Sequence, residues 1–134
     1  MNTKELISKA LSVAKDVKHN GQCRSGEVGC ALITDKNNLF LGTSIDCSCG
    51  IGFCAEHSAI ANMITNGESR IKLIVAVSDN EIILSPCGRC REFIYEVNNK
   101  NSETDVVLSK DKTIKLKELL PHPWQNAYKP SKLV

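Results

Sequence analysis

Apolar positions Leu6, Ile7, Ala10, Leu11, Ala14 and Val17 recur at helical spacing, with Lys4, Glu5, Lys9, Lys15 and Asp16 between them. This stripe predicts an amphipathic first helix, with Asn2 three residues before Glu5 as its cap and Asn20-Gly21 as its stop. Val28 to Thr34 and Leu39 to Ile45 read as two strands of a hairpin joined by Asp35-Lys36-Asn37-Asn38. Asp46 to Phe53 keeps no period and holds Gly50 and Gly52, so it reads as a closely packed loop. From Cys54 the small residues Ala55, Ser58, Ala59 and Ala61 suit a helix that ends at Asn66-Gly67.

The run from Ile71 to Ser78 is almost continuously apolar and β-branched, as in a strand buried on both faces with parallel pairing. Ser85-Pro86 then opens a helix through Phe93, Ile94 and Val97, because a proline at a helix start gives up an N–H that would have had no partner. Asp105 to Leu108 reads as a further strand and Lys115 to Leu120 as a short helix, while Pro121, Pro123 and Pro130 make the tail irregular. Strands alternating with helices predict an α/β fold. With 134 residues and no repeat or linker, residues 1–134 are expected to form a single domain.

Composition narrows the partners. Lys+Arg 17 against Asp+Glu 15 leaves a net charge of +2, and the basic residues are scattered among acids, which argues against nucleic acid as the partner. Aromatics at 4% leave few platforms on which a strand's bases would stack. Charges interrupt the first apolar stretch, and no apolar run reaches the ~18 residues of a membrane span, so the expectation is a cytoplasmic protein with no membrane partner. Seven cysteines, an odd number, with two of them in Cys87-Gly88-Arg89-Cys90, point to metal or redox chemistry more than to a disulfide scaffold.

Cys54 opens one predicted helix, and Cys87 and Cys90 open another. A helix N-terminus presents unpaired N–H groups and partial positive charge, which favour thiolate, the form that binds zinc. Three such thiolates make three corners of a tetrahedral Zn²⁺ site and leave the fourth for water. Glu56, two residues past Cys54, stands beside the metal as a proton carrier instead of a ligand. The competing reading is a structural zinc site closed by Cys47, Cys49 or His57. Cys30 reads as a small hydrophobe in a strand, and His19 and His122 as surface or packing residues.

Through Cys54-Ala55-Glu56 and Ser85-Pro86-Cys87-Gly88-Arg89-Cys90-Arg91, the sequence resembles the small-subunit branch of the cytidine deaminase family. Val28-Gly29-Cys30-Ala31-Leu32 looks like that family's first strand, and Glu118-Leu119-Leu120-Pro121 like its C-terminal segment. The resemblance implies a three-layer α/β/α sandwich with a mixed five-stranded sheet, assembled as a homotetramer. It also implies a zinc-dependent hydrolase for a free cytosine nucleoside of the cytidine or deoxycytidine type. Water adds at C4, Glu56 moves the protons, and ammonia leaves; the non-ligand Glu beside a cysteine-bound zinc is a known deaminase signature. By the same resemblance Ser44, Asp46, Ala55, Ser85 and Trp124 surround the substrate, with Tyr128 as a second C-terminal aromatic.

Some positions depart from the family pattern. His57 stands where an arginine commonly follows the catalytic glutamate, and with Arg91 it is expected to offset the charge of the thiolates. Ser44-Ile45-Asp46 replaces the Asn and Glu that hold ribose hydroxyls, and Gly26 replaces a stacking Phe. The run Ile83 to Arg91 and the ending before Trp124 look nearest to the blasticidin S deaminases, which makes a modified cytosine nucleoside the alternative substrate.

Overall fold

The computed structural model describes residues 1–127; Tyr128 lies outside the described residues. Helix α1 (Thr3–Ser12) is followed by strands β1 (Val17–Asn20), β2 (Cys23–Thr34) and β3 (Leu39–Cys47), then helix α2 (Ala55–Thr65). Strands β4 (Ile71–Ser78) and β5 (Ile83–Leu84) precede helix α3 (Gly88–Val97). A 3-10 turn (Asn99–Glu103), β6 (Asp105–Ser109), β7 (Lys112–Lys115), the short helix α4 (Leu116–Leu119) and a second 3-10 turn (Trp124–Ala127) complete the described chain.

Asn2 caps α1 as expected: its Oδ1 accepts from the Glu5 N–H at 2.8 Å, and Glu5 Oε2 accepts the Asn2 N–H at 3.2 Å. The helix stops at Ser12, earlier than its apolar stripe predicts. Val17 lies in β1, and Asn20 ends that strand with Gly21-Gln22 as the turn into β2, instead of forming a helix stop. Tertiary pairing prevails here, because Val17 and Lys18 align with Ser25 and Arg24 of β2, and Asp16 bonds the Arg24 guanidinium.

The sheet has seven strands where five were expected. Residues of β2 that pair with β3 on one edge pair with β1 or β4 on the other, so β1 and β4 share an edge of β2. Likewise β5 and β6 share the far edge of β4. The sheet is therefore five ribbons wide, in the order β3, β2, β4, β6, β7, with β1 in the rank of β4 and β5 in the rank of β6. Only β4 and β6 run parallel.

Alternating residues of β2 separate the two faces. Ala31 and Ile33 pack with Leu6 and Ala10 of α1, and Cys30 and Leu32 pack with Ala59, Ile60 and Met63 of α2 and Ile94 of α3. This is the expected three-layer α/β/α arrangement. Gly42 of β3 permits close packing of α2, since a Cβ there would run into the backbone at Ala59 and Ser58. After β3 the chain doubles back: Ile45 and Phe53 exchange backbone hydrogen bonds of 3.0 and 2.9 Å, which brings Cys54 to the end of the sheet.

Candidate active site

The starts of α2 and α3 converge at one end of the sheet. Cys54 and Cys87 are the N-cap residues of these helices, both with extended backbone and neither with its side chain used as a cap. Their Sγ atoms are 3.7 Å apart. Two sulfurs on a tetrahedral zinc, each at about 2.3 Å, would be separated by about 3.8 Å, so the pair already has the edge length such an ion requires. Cys90, one turn into α3, is buried, and its Sγ is 3.4 Å from His57 Nδ1. Donor atoms of Cys54, His57 and Cys90 all lie within 4.8 Å of one another.

His57 therefore stands at the sulfurs, as expected, with its ring stacked on Phe93 at 4.3 Å. Burial, and then the Arg89 charge, hold its pKa below the ordinary value. Arg91 is not at the thiols: Nε donates to the Pro86 carbonyl at 2.8 Å and Nη1 to the Leu119 carbonyl at 3.3 Å. Its Nη2 donates to Ser85 Oγ at 3.4 Å. Its described partners are oxygens of Ser85 and Pro86 just before α3 and of Leu119 at the end of α4, which folds back within reach of the guanidinium.

Helix N-termini favour thiolate at only one of the three cysteines. Burial works to raise Cys87, but backbone N–H groups of Cys90 and Arg89 and the neighbouring thiols outweigh it, and its pKa falls. Cys54 is raised, first by burial, despite a lowering contact from Cys90. Cys90 is raised strongly, by burial and then by Glu56 and Cys54. Three sulfurs and a carboxylate so close resist ionising together, and a divalent cation among them relieves that crowding. The donor set fits Zn²⁺.

Glu56 is only 5% exposed, and burial raises its carboxyl pKa. It sits on the floor of a cavity of about 370 Å³, within the range of small-molecule sites. Cys54 and Cys87 line this cavity, while His57 and Cys90 are not among its lining residues. Ser44, Asp46, Ala55 and Ser85 also line it. The Ser44 hydroxyl already accepts the Val28 N–H at 3.0 Å, which leaves its own proton to offer. Trp124 does not line the cavity; its N–H donates to Glu92 Oε1 at 2.7 Å on the outer side of α3.

Sequence reasoning missed Glu27 and Arg89, which both line the cavity. Arg89 lies within the motif Ser85-Pro86-Cys87-Gly88-Arg89-Cys90-Arg91, between two cysteines. Glu27 follows Gly26, and that glycine was the only signal of a break in the strand.

A mixed α/β sandwich with cysteines at two helix starts and a buried glutamate beside them defines the class of zinc-dependent deaminases. Residues 1–104 match the model of the cytidine and deoxycytidylate deaminase zinc-binding region, and the chain belongs to that family. It is 32% identical over 100 residues to a probable cytidine deaminase of Dictyostelium discoideum, covering 72% of this chain and 67% of that one. It is 36% identical over 92 residues to a cytidine deaminase of Mycoplasma pneumoniae, covering 66% and 68%. The fold matches the cytidine deaminase of Mycobacterium tuberculosis with a TM-score of 0.77 at 24% identity, over 92% of this chain and 98% of that one. It matches the Mycobacterium leprae enzyme with a TM-score of 0.75 at 25% identity, over 91% and 99%.

Proposed function

We propose that this protein is a hydrolytic deaminase that converts the 4-amino group of a free cytosine nucleoside, of the cytidine or deoxycytidine type, to a uracil product and ammonia. The observation that carries the reading is the buried Glu56 carboxylate beside three cysteines on the floor of a ligand-sized cavity. The relatives described above carry the cytidine deaminase name, which favours a plain cytosine nucleoside over the modified one.

Cys54, Cys87 and Cys90 would hold the zinc, with His57 donating to Cys90. When bound, zinc makes water a nucleophile at neutral pH. Burial raises the pKa of Glu56 and so eases its protonation, which suits a group that serves as both base and acid. Glu56 accepts the proton of the attacking water and passes it to N3. It then takes the second proton, from the new hydroxyl on C4, and delivers it to the exocyclic amine, so that the C4–N4 bond breaks, a C4 carbonyl forms and ammonia leaves. Ala55 at the first turn of α2, Ser44 and Asp46 form the wall that positions the base and sugar.

A cytoplasmic homotetramer belongs to the same proposal. All seven cysteines are free thiols, the state a reducing compartment maintains. Phe53 and Ile51, exposed near the cavity, are surface that a second copy would cover. Light scattering on the zinc-loaded protein measures the assembly.

Glu56→Gln tests the chemistry. The variant should keep one zinc per chain and lose deamination by roughly a hundredfold or more, the usual contribution of a general acid and base. Full activity in Glu56→Gln, or no ammonia from any cytosine nucleoside with zinc-loaded wild type, overturns the reading.

A further inference from the structure

The family description covers both a nucleoside and a nucleotide substrate, so membership leaves open whether a 5′-phosphate is accepted. The cavity wall formed by β2 and β3 bears on this choice. Ser25 pairs with Ile45 and Gly29 with Thr43, so three residues of β2, Gly26, Glu27 and Val28, stand opposite the single Ser44. This wide bulge is pinned on both sides. The Val28 N–H donates to Ser44 Oγ, and the Glu27 carbonyl accepts the Asp79 N–H at 2.9 Å. Gly26 sits at φ 91°, where only glycine is at ease, and a Cβ there would collide with the Lys15 carbonyl. The bulge therefore holds Glu27 on the cavity wall, near Asp46 of the next strand.

These two acids are not fully neutralised. Arg24 faces Asp46 across the ladder and lies 3.6 Å from Glu27, but its guanidinium is engaged by Asp16. Among the described ion pairs, Arg24 is thus shared between Asp16 and Glu27. The cation that lines the cavity, Arg89, stands at the start of α3, where its charge acts on His57 and its N–H on Cys87. With C4 of a cytosine beside Glu56 at the helix starts, N1 and the sugar point away from them, toward the strand wall. A carboxylate only accepts hydrogen bonds, so it can take those of sugar hydroxyls; a phosphate also only accepts and brings like charge.

Resting on the deaminase reading above, we propose that Glu27, held by the bulge beside Asp46, is a specificity-determining residue that admits nucleosides with free sugar hydroxyls and rejects their 5′-phosphates. The test compares kcat and KM of the zinc-loaded protein on cytidine and on cytidine 5′-monophosphate, for wild type, Glu27→Asp and Glu27→Lys. Wild type should prefer cytidine, Glu27→Asp should keep most of that preference, and Glu27→Lys should reduce it roughly tenfold or more through a lower KM for the monophosphate. Added salt should narrow the preference of wild type, which reads the same charge without any variant.

A wild type that takes the monophosphate as readily as cytidine overturns the inference. So does a preference that moves less than twofold both in Glu27→Lys and between low and high salt. In both cases cytidine is still deaminated and the deaminase reading stands. Turnover of neither compound overturns that reading and the inference with it.

Discussion

Asn101 offers a measurable link between the fold and the metal-holding helix. Its side chain is fully buried and makes four hydrogen bonds. Oδ1 accepts the Ile71 N–H at 2.8 Å and Arg70 Nη1 at 3.1 Å, while Nδ2 donates to the Ser69 and Ile94 carbonyls, each at 3.0 Å. It thereby joins the first residue of β4 to the last turn of α3, the helix that begins beside Cys87. In Asn101→Ala, Arg70 keeps Thr104 Oγ1 and the Ile71 carbonyl as acceptors, and Ser69 is near enough to the surface to find water. The Ile71 N–H and Ile94 carbonyl have no such recourse, since both residues are 0% exposed. Each buried group left unpaired costs roughly 1–3 kcal/mol, so the variant should lose about 3–4 kcal/mol. That is a large share of the roughly 5–15 kcal/mol that holds a domain folded. Asn101→Asp should be no milder, because it turns a donor into a charge facing two carbonyl oxygens. Urea unfolding followed by circular dichroism measures both. A loss below about 1 kcal/mol in Asn101→Ala would show that water reaches these groups, and would refute the reasoning.

Two further substitutions probe the site. His57→Ala should retain one zinc per chain by elemental analysis, since His57 Nδ1 is already engaged with Cys90 Sγ at 3.4 Å; loss of the metal would make the histidine a ligand. Gly42→Ala drives a methyl into the backbone at Ala59 and Ser58, and overpacking of this kind typically costs roughly 1–3 kcal/mol. Because α2 carries Glu56, its deaminase rate should fall by more than the loss of folded protein explains, and a variant as active as wild type would mean that α2 can shift without harm.

The sequence was most legible where local chemistry decides the outcome. Asn2 and Glu5 sit within one turn of each other, so their reciprocal cap depends on nothing distant. The positions of Cys54 and Cys87 at helix starts follow from neighbouring residues in the same way. Legibility ended where partners are far apart in the chain. All four residues of β1 are exposed, β5 has two residues, and three of the four residues of β7 are polar, so none carries a burial pattern of its own. They exist because a neighbouring strand offers an edge. The destination of Arg91 was hidden because it depends on the return of Leu119, and that of Glu27 because a bulge is a property of two strands and not of one. The lowered pKa of His57 comes from burial and then from Arg89, neither of which spacing reports.

Metal removal tests how far the site also holds the fold together. Zinc on Cys54, Cys87 and Cys90 would tie the start of α2 to that of α3, two points 33 residues apart in the chain. Cross-linking an unfolded chain over a loop of that length removes entropy equivalent to about 3–4 kcal/mol, if a metal clip is treated like a disulfide. Without the ion, the described contacts between these helix starts are the 3.7 Å pair of sulfurs, the 3.4 Å contact of His57 with Cys90 and the stack of His57 on Phe93. None of these is covalent, and the thiols crowd one another. Chelation should therefore lower the urea midpoint by an amount of that order, and added zinc should restore it as its concentration exceeds the dissociation constant. An unchanged midpoint in protein shown by elemental analysis to be metal-free would mean that the packing of α2 and α3 on the sheet sets the geometry of the three sulfurs unaided, with zinc contributing chemistry and no stability.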